Sequence, residues 1–318
     1  MKKVLITGGS GTVGSSFIKK YYGDYKFYSY SRNEKMQVSL KRSLNDVELI
    51  MGSVEDTNSL LNAFLKVKPD IVIHCAAVKH VDTGEKNPIQ TAKVNVLGSL
   101  NVINASIDTN VPVTVAVSTD KACLPDSVYG HSKLIMEKMF LESNNKKNKF
   151  STCRFGNVTH SHGSVLPFWI RLRSQNKSLK LTSKEMNRLM FSQNDAVSLV
   201  KYAVDKTHED GGFILSKKMK TVNMYELASI MSDKIDVVGL RPGEKLNETL
   251  VNKKELPYTF VDGDYIFIRD YVNEDENKLD SEYSSLTAEK MSVEEIIDII
   301  AETDTNLKKS LLNYGMYG

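Results

Sequence analysis

The stretch KVLITGGSGTVGSSF (residues 3–17) runs from an apolar segment through Gly8, Gly11 and Gly14 into an amphipathic one. Glycines at that spacing let a strand turn sharply into a helix while another chain approaches the backbone closely. The start of such a helix presents free N–H groups and the positive end of its dipole, which suits a pyrophosphate. Ser10, Thr12 and Val13 lie in the same turn. Strand, glycine turn and helix in succession commit the chain to βαβ units.

The next hundred residues keep that alternation. KFYSYSR reads as a second strand, SLLNAFLKV as a helix and PDIVIHCAA as a third strand. PIQTAKVNVLGSLNVINASIDT reads as one long helix and VPVTVAVST as a fourth strand. The helix YGHSKLIMEKMFLESNN and a fifth strand, KFSTCRFGNV, follow. The strand runs are almost continuously apolar, as parallel strands covered on both faces are. The fold class is therefore α/β, a Rossmann-type doubly wound parallel sheet. After residue 160 the pattern loosens, with helices over NDAVSLVKYAVDK, NMYELASIMSDK and SVEEIIDIIAE and a strand over GGFILS; YVNEDENKLDSE reads as an acidic loop. The expected division is a dinucleotide-binding part over 1–160 and about 190–215. A smaller, discontinuous substrate part would take 161–189 and 216–318.

Composition narrows the partners. A net charge of +3 suits an anionic small molecule and lacks the basic stripe of a nucleic-acid binder. Cys75, Cys123 and Cys153 have no metal-ligand spacing and read as free thiols of a reducing compartment. His160-x-His162 lacks further ligands nearby, so no metal is expected. No apolar run approaches a membrane span. The expectation is a soluble cytoplasmic protein.

The end of the second strand bears on the cofactor. An acid there would bind a free ribose 2′-hydroxyl, but Ser31 and Arg32 occupy the place. A guanidinium suits a 2′-phosphate, so NADP is expected over NAD. Glu34 leaves NAD open.

The segment VSTDKACLPDSVYGHSK (117–133) carries the chemistry. Tyr129 and Lys133 stand one helical turn apart on one face. A nearby ammonium is expected to lower the tyrosine pKa and make it a base for a hydroxyl proton. Asp120 and Lys121 sit just upstream, and Lys121 is expected to have its own pKa lowered by neighbouring cations.

At this point the chain resembles the extended short-chain dehydrogenases/reductases, and within them the inverting 4,6-dehydratases of UDP-N-acetylglucosamine. The matches are TGGSGTVG, YSR, HCAAVKHV, NVLGSLNVINA, STDKA, YGHSK, RFGNV, GSVLPFW, GLRPGEKLNETL and EYSS. The resemblance implies oxidation at C4 of the sugar, loss of water across C5 and C6, and return of hydride to C6, so a tightly bound NADP is recycled. It implies Tyr129, assisted by Lys133, as the C4 base, Lys121 as the C5 base and Asp120 as the acid for the leaving hydroxyl. Thr119 would hydrogen-bond the O4 region. Retaining dehydratases are similar here but carry glutamate where Lys121 stands.

By the same resemblance Asp56, Ala76, Ala77, Lys79 and Asn95 join the cofactor site. Lys79, Asn157, Val165, Arg188, Arg241 and Glu244 engage the UDP-sugar, with Arg241 first for the pyrophosphate. Ser53 departs from the family's usual aspartate, and His160 and His162 depart in the sugar-facing loop. Relatives assemble through helices flanking the site, so a homo-oligomer, dimer or hexamer, is expected. Retention at C5, C4 epimerisation or ketone reduction remain alternatives on the same fold. So does a non-catalytic NADP-binding sensor, which would need none of Asp120, Lys121, Tyr129 and Lys133.

Overall fold

The computed structural model describes residues 1–272, 277–302, 306–308 and 311. In chain order the strands are β1 (Lys3–Thr7), β2 (Lys26–Ser31), β3 (Glu48–Met51), β4 (Ile71–His74), β5 (Val113–Thr119), β6 (Lys149–Phe155), β7 (Asn157–Val158), β8 (Leu179–Leu181), β9 (Asn187–Phe191), β10 (Ile214–Lys217), β11 (Thr221–Asn223), β12 (Ile235–Val237), β13 (Thr249–Val251), β14 (Thr259–Asp262), β15 (Tyr265–Ile268) and β16 (Tyr283–Ser284).

Nine of them form one sheet in the order β14-β15-β10-β6-β5-β4-β1-β2-β3. Neighbours from β3 through β10 are parallel, and β15 and β14 extend the sheet antiparallel. Alternate side chains feed two cores. Val4, Ile6 and Ile73 pack with Phe17, Val197 and Val200 on one face. Leu5 and Val72 pack with Phe64 and Val102 on the other. Burial on both faces is why these runs read as continuously apolar.

Three expectations need correction. A helix over Glu34–Ser43 and strand β3 were missed, so VPVTVAVST is the fifth strand of the chain and KFSTCRF the sixth. That helix buries only Gln37 and Leu40, too little apolar surface to signal itself; Asn33 caps it by accepting from Met36 N at 3.1 Å. The helix expected over 88–109 is interrupted by a π turn at Lys93–Leu97. Finally, β14 and β15 pair into the main sheet, although their stretch was assigned to the substrate part. The second core gathers Leu166, Trp169, Leu179, Leu227 and Ile296. Of the acidic loop expected over 271–282, residues 273–276 lie outside the described residues, as do most of residues 306–318.

A buried histidine ties β4 into this frame. His74 Nδ1 lies 2.6 Å from Thr7 Oγ1 and Nε2 lies 3.0 Å from Ser99 Oγ. Ser99 Oγ spends its proton on Asn95 O at 2.6 Å. Nε2 must therefore donate, which leaves Nδ1 to accept from Thr7. Burial, and then the Lys133 ammonium, push the His74 pKa down to about 3. An unfolded histidine takes up a proton below about pH 6.5, while the folded one stays neutral. Its contribution is therefore complete above that pH and lost as pH falls toward 3. In urea titrations the wild type should lose stability relative to His74→Asn by up to about 1.4 kcal/mol per pH unit between those limits. A pH-independent gap between the two would show that His74 is charged in the fold.

Candidate active site

The glycine turn fits a dinucleotide by shape. A Cβ on Gly8, where φ is +71°, would come within 2.8 Å of Ala76 N. One on Gly14 would meet Gly9 Cα at 2.7 Å, so the first helix can start only against a bare backbone. The turn opens into a groove of about 650 Å³ lined by Gly8, Ser10, Gly11, Thr12, Val13, Ser31, Arg32, Ala76, Ala77, Lys79, Lys121, Tyr129 and Lys133. That size and a mostly preformed wall are those of a cofactor site.

Two residues expected in this groove do other work. Asp56 caps the helix Thr57–Val67, accepting from Ser59 N at 3.0 Å, and is not in the groove wall; Ser53 is. Asn95 projects from the π turn, the usual effect of the extra residue in such a turn. Its Oδ1 accepts from Val78 N at 2.8 Å, and its Nδ2 donates to Val78 O and to Ser132 Oγ, each at 2.9 Å. Asn95 thus braces the loop after β4 against the helix that carries Tyr129.

The groove wall at the end of β2 has a neighbour, Glu55, that sequence reading missed. Ser10 Oγ donates to Ser31 Oγ at 3.0 Å, and the Arg32 side chain, 61% exposed, stands 3.7 Å from Glu55. His162 was also missed as a groove residue. Its N–H donates to Thr12 Oγ1 at 2.9 Å, so the HSH loop folds over the glycine turn, while His160 Nε2 faces Ile299 O.

At the catalytic segment the chain turns tightly. Thr119 ends β5 and caps a 3-10 turn over Asp120–Ala122; its Oγ1 donates to Asp120 Oδ1 at 3.0 Å. The helix Val128–Glu142 begins at Ser127, whose Oγ accepts from Gly130 N, and Glu85 Oε1 accepts from Val128 N at 2.7 Å. A Cβ on Gly130 would sit 2.4 Å from Lys121 O. This explains the glycine in YGHSK: it lets Tyr129 come down onto the turn.

The electrostatics differ from expectation in two places. Lys133 Nζ donates to Val117 O at 2.5 Å and to Met136 Sδ at 2.9 Å, and burial lowers its pKa to about 8. Burial pushes the Tyr129 pKa up to about 12, with the Lys121 ammonium and a Thr119 hydrogen bond opposing. Burial outweighs both, so the shift is opposite to the lowering expected from Y-x-x-x-K. Lys121 is corrected more sharply. Burial works against its charge, but Asp120 at 3.0 Å and Glu248 at 3.2 Å outweigh it and raise its pKa. Glu248, in KLNETL, gave no signal in sequence because its partner lies so far up the chain.

A second cavity, about 670 Å³, adjoins the first and is lined by Asn157, Val165, Arg188, Arg241 and Glu244; Lys79, His80, Asn157, Gly163 and Ser164 border both. Arg188 is buried and donates to Asn187 O, Leu246 O and Lys245 O, so it shapes the RPGEK loop from beneath. Glu244 accepts from Arg241 N at 3.1 Å and closes the same loop. Arg241 is exposed. The helix Val165–Ser174 opens on the cavity without a side-chain cap, and Ser164 Oγ has no partner among the described residues.

Residues 4–269 match the family described as polysaccharide biosynthesis protein. The chain belongs to this family. Among curated members, the inverting UDP-N-acetylglucosamine 4,6-dehydratase of Campylobacter jejuni is 36% identical over 271 residues, covering 81% of this chain and 80% of that one. The UDP-glucose 4-epimerase of Rickettsia bellii is 32% identical over 330 aligned residues, covering 95% and 96%. Among solved structures, Pen from Bacillus thuringiensis superposes with a TM-score of 0.89 at 29% identity, over 95% of this chain and 98% of that one. The dTDP-glucose 4,6-dehydratase DesIV of Streptomyces venezuelae shares the fold at TM-score 0.69 and 19% identity, over 77% and 86%. Both curated relatives are named for reactions of UDP-sugars, and this chain, of the same family, is an enzyme of the short-chain dehydrogenase/reductase class acting on nucleotide sugars. Among the described residues no helix is long and apolar enough to cross a membrane.

Gly130→Ala tests the close approach directly. Its methyl group should force the helix off the turn and cost about 1–3 kcal/mol in urea unfolding, the usual cost of overpacking. An unchanged midpoint would mean that the turn yields freely.

Proposed function

We propose that this chain is a UDP-N-acetylglucosamine 4,6-dehydratase that inverts C5, giving UDP-2-acetamido-2,6-dideoxy-L-arabino-4-hexulose. The observation that carries the reading is Asp120-Lys121 beside Tyr129: Lys121 lines the glycine-lined groove, and Asp120, buried behind it, holds its ammonium at 3.0 Å. Epimerases and reductases need neither a leaving-group acid nor a C5 base. Identity to the Campylobacter jejuni dehydratase supports the same choice.

In this reading Tyr129 takes the O4 proton as its phenolate, the form that the Lys121 ammonium and the Thr119 hydrogen bond favour against burial, while Thr119 holds the O4 region. Lys121 takes the C5 proton, and Asp120, which accepts from the resulting ammonium at 3.0 Å, relays a proton from it to the departing 6-hydroxyl. Lys133, one turn along the same helix and held by Val117 O, would line the groove beside Tyr129. A bound nicotinamide dinucleotide would accept the C4 hydride and return it at C6. The glycine turn, Ala76, Ala77 and Lys79 would hold it, with Ser31 and Arg32 at the ribose and NADP preferred over NAD.

The UDP would lie in the adjoining cavity, its diphosphate met by Arg241, Lys79 and the uncapped amides at Val165, with the sugar reaching into the first groove beside Lys121 and Tyr129. Asn157, on the border of both cavities, would face the sugar. Arg188 and Glu244 would act through the loop they shape. In this reading 1–160 and about 190–215 serve mainly the dinucleotide and 161–189 and 216–318 mainly the sugar, less the β14–β15 hairpin, with Lys79 and Asn157 facing both cavities. Exposed Ile89, Leu97, Leu100 and Ile135 on packed helices beside the site support a homo-oligomer. The free thiols suit a cytoplasmic setting.

Incubation with UDP-N-acetylglucosamine in D2O should give a product lighter by one water with deuterium at C5, and NMR should show the L-arabino 4-ketosugar. The D-xylo isomer as first product would overturn the inverting assignment. Arg32→Ala should weaken NADP binding by roughly 1–3 kcal/mol, the scale of a charged hydrogen bond, and spare NAD. Equal loss of both would free Arg32 of any role at the 2′-phosphate.

A further inference from the structure

An ammonium clamped by two carboxylates is a poor base, and Glu248 offers a way out. Its Oε1 accepts from Lys121 Nζ at 3.2 Å, and its side chain is 3% exposed. Its backbone is fixed on both sides: N–H donates to Ser285 Oγ at 3.0 Å, and C=O accepts from Ser285 N at 2.9 Å. Asp120 Oδ1 holds the other side of Nζ at 3.0 Å. Asp120 Oδ2 and Glu248 Oε2 are buried with no hydrogen-bond partner among the described residues. Arg188 is the further cation whose field reaches both Lys121 and Glu248, and Tyr129 is the further titratable group beside Lys121.

The cluster is therefore one buried cation against two carboxylates, with an orphaned oxygen on each. Lys121 is 21% exposed and lines the cofactor groove, so the water it sees is groove water. A sugar filling that space removes this water. Desolvation then penalises ammonium and carboxylate together, and favours the neutral amine–carboxylic acid pair.

Resting on the dehydratase reading, we propose that Glu248 is a positioning residue for the C5 step, which takes the Lys121 proton when substrate fills the groove. One N–H bond of Lys121 breaks and one O–H bond forms on Glu248, with no electron transfer and no co-reactant. The freed amine then takes the C5 hydrogen as a proton and becomes an ammonium again. The C–H electron pair stays on C5 as the enolate of the C4 ketone. Burial already raises the Glu248 pKa, against the pull of Lys121, so this carboxylate is poised to accept.

The test compares wild type with Glu248→Gln and Glu248→Asp, following C5 hydrogen exchange into D2O and the absorbance of reduced nicotinamide. Glutamine keeps the size of the side chain and cannot take the proton. Near neutral pH it should slow C5 exchange by roughly 10²-fold or more while C4 oxidation and ligand affinities hold. Because its Lys121 must lose a proton to water, exchange should then climb about tenfold per pH unit. Wild type should be nearly flat over the same range, since an internal transfer takes nothing from solvent. Aspartate should restore part of the rate. Lysine 13Cε resonances give a readout without turnover: the Lys121 pKa should fall in Glu248→Gln.

Oxidation and exchange falling together in Glu248→Gln, with the wild-type pH profile, would mean a merely structural side chain and overturn the proposal. So would exchange at the full rate beside an active wild type. A wild type that leaves UDP-N-acetylglucosamine unchanged would sink the dehydratase reading itself.

Discussion

Lys121 between Asp120 and Glu248 is the contact on which the site depends. Asp120 comes from the turn after β5, deep in the parallel sheet, and Glu248 comes from the segment leading into β13. Burying three charges is expensive, and breaking such a cluster by removing one partner typically costs about 3–5 kcal/mol. The two halves of the chain are therefore held in register at the place where chemistry would occur. Remote parts serve the same contact. Ser285, in EYSS, fixes Glu248 through two hydrogen bonds, and Thr221 Oγ1 in turn donates to Ser285 O at 2.8 Å.

A second buried charge cluster lies behind the first. Arg154 in β6 bonds both oxygens of Glu137, in the helix of Tyr129, at 3.0 and 2.7 Å. It also reaches Glu255 at 2.8 Å and Leu250 O at 2.7 Å, beyond Glu248 in the chain. Arg154 is fully buried, so this pairing joins the sheet, the helix of Tyr129 and the segment after β13 deep inside the fold. Cys123 donates to Glu255 at 3.3 Å within the same cluster, and its pKa is pushed up to about 12, chiefly by burial. It is a packing residue beside Lys121 rather than a nucleophile.

The parallel sheet was legible because strands buried on two faces leave continuous apolar runs, and the glycine turn because its backbone contacts admit no side chain. The Glu34–Ser43 helix and the exposed edge strand β3 bury too little to write a pattern. The β14–β15 hairpin was unreadable as part of the main sheet because membership there depends on β10, far back in sequence. At the groove, the lining by Lys121, Tyr129 and Lys133 was legible in sequence and the charge partners of Lys121 and Tyr129 were not. Y-x-x-x-K suggested a tyrosine under the influence of Lys133, yet Lys133 spends its donors on Val117 O and Met136, and Tyr129 feels Lys121 instead. Lys121 was assigned a lowered pKa from its neighbours in sequence. The neighbour that reverses the sign, Glu248, is a neighbour only in space.

The central claim is that one groove both removes and returns the same hydrogen while Lys121 works at the carbon between. UDP-N-acetylglucosamine carrying deuterium at C4 tests it most directly. Mass spectrometry and NMR of the product should find that deuterium at C6 of the same molecule, with none lost to water and no net formation of reduced nicotinamide. Deuterium retained at C4 of a product that has kept its 6-hydroxyl would make the chain an epimerase and contradict the account.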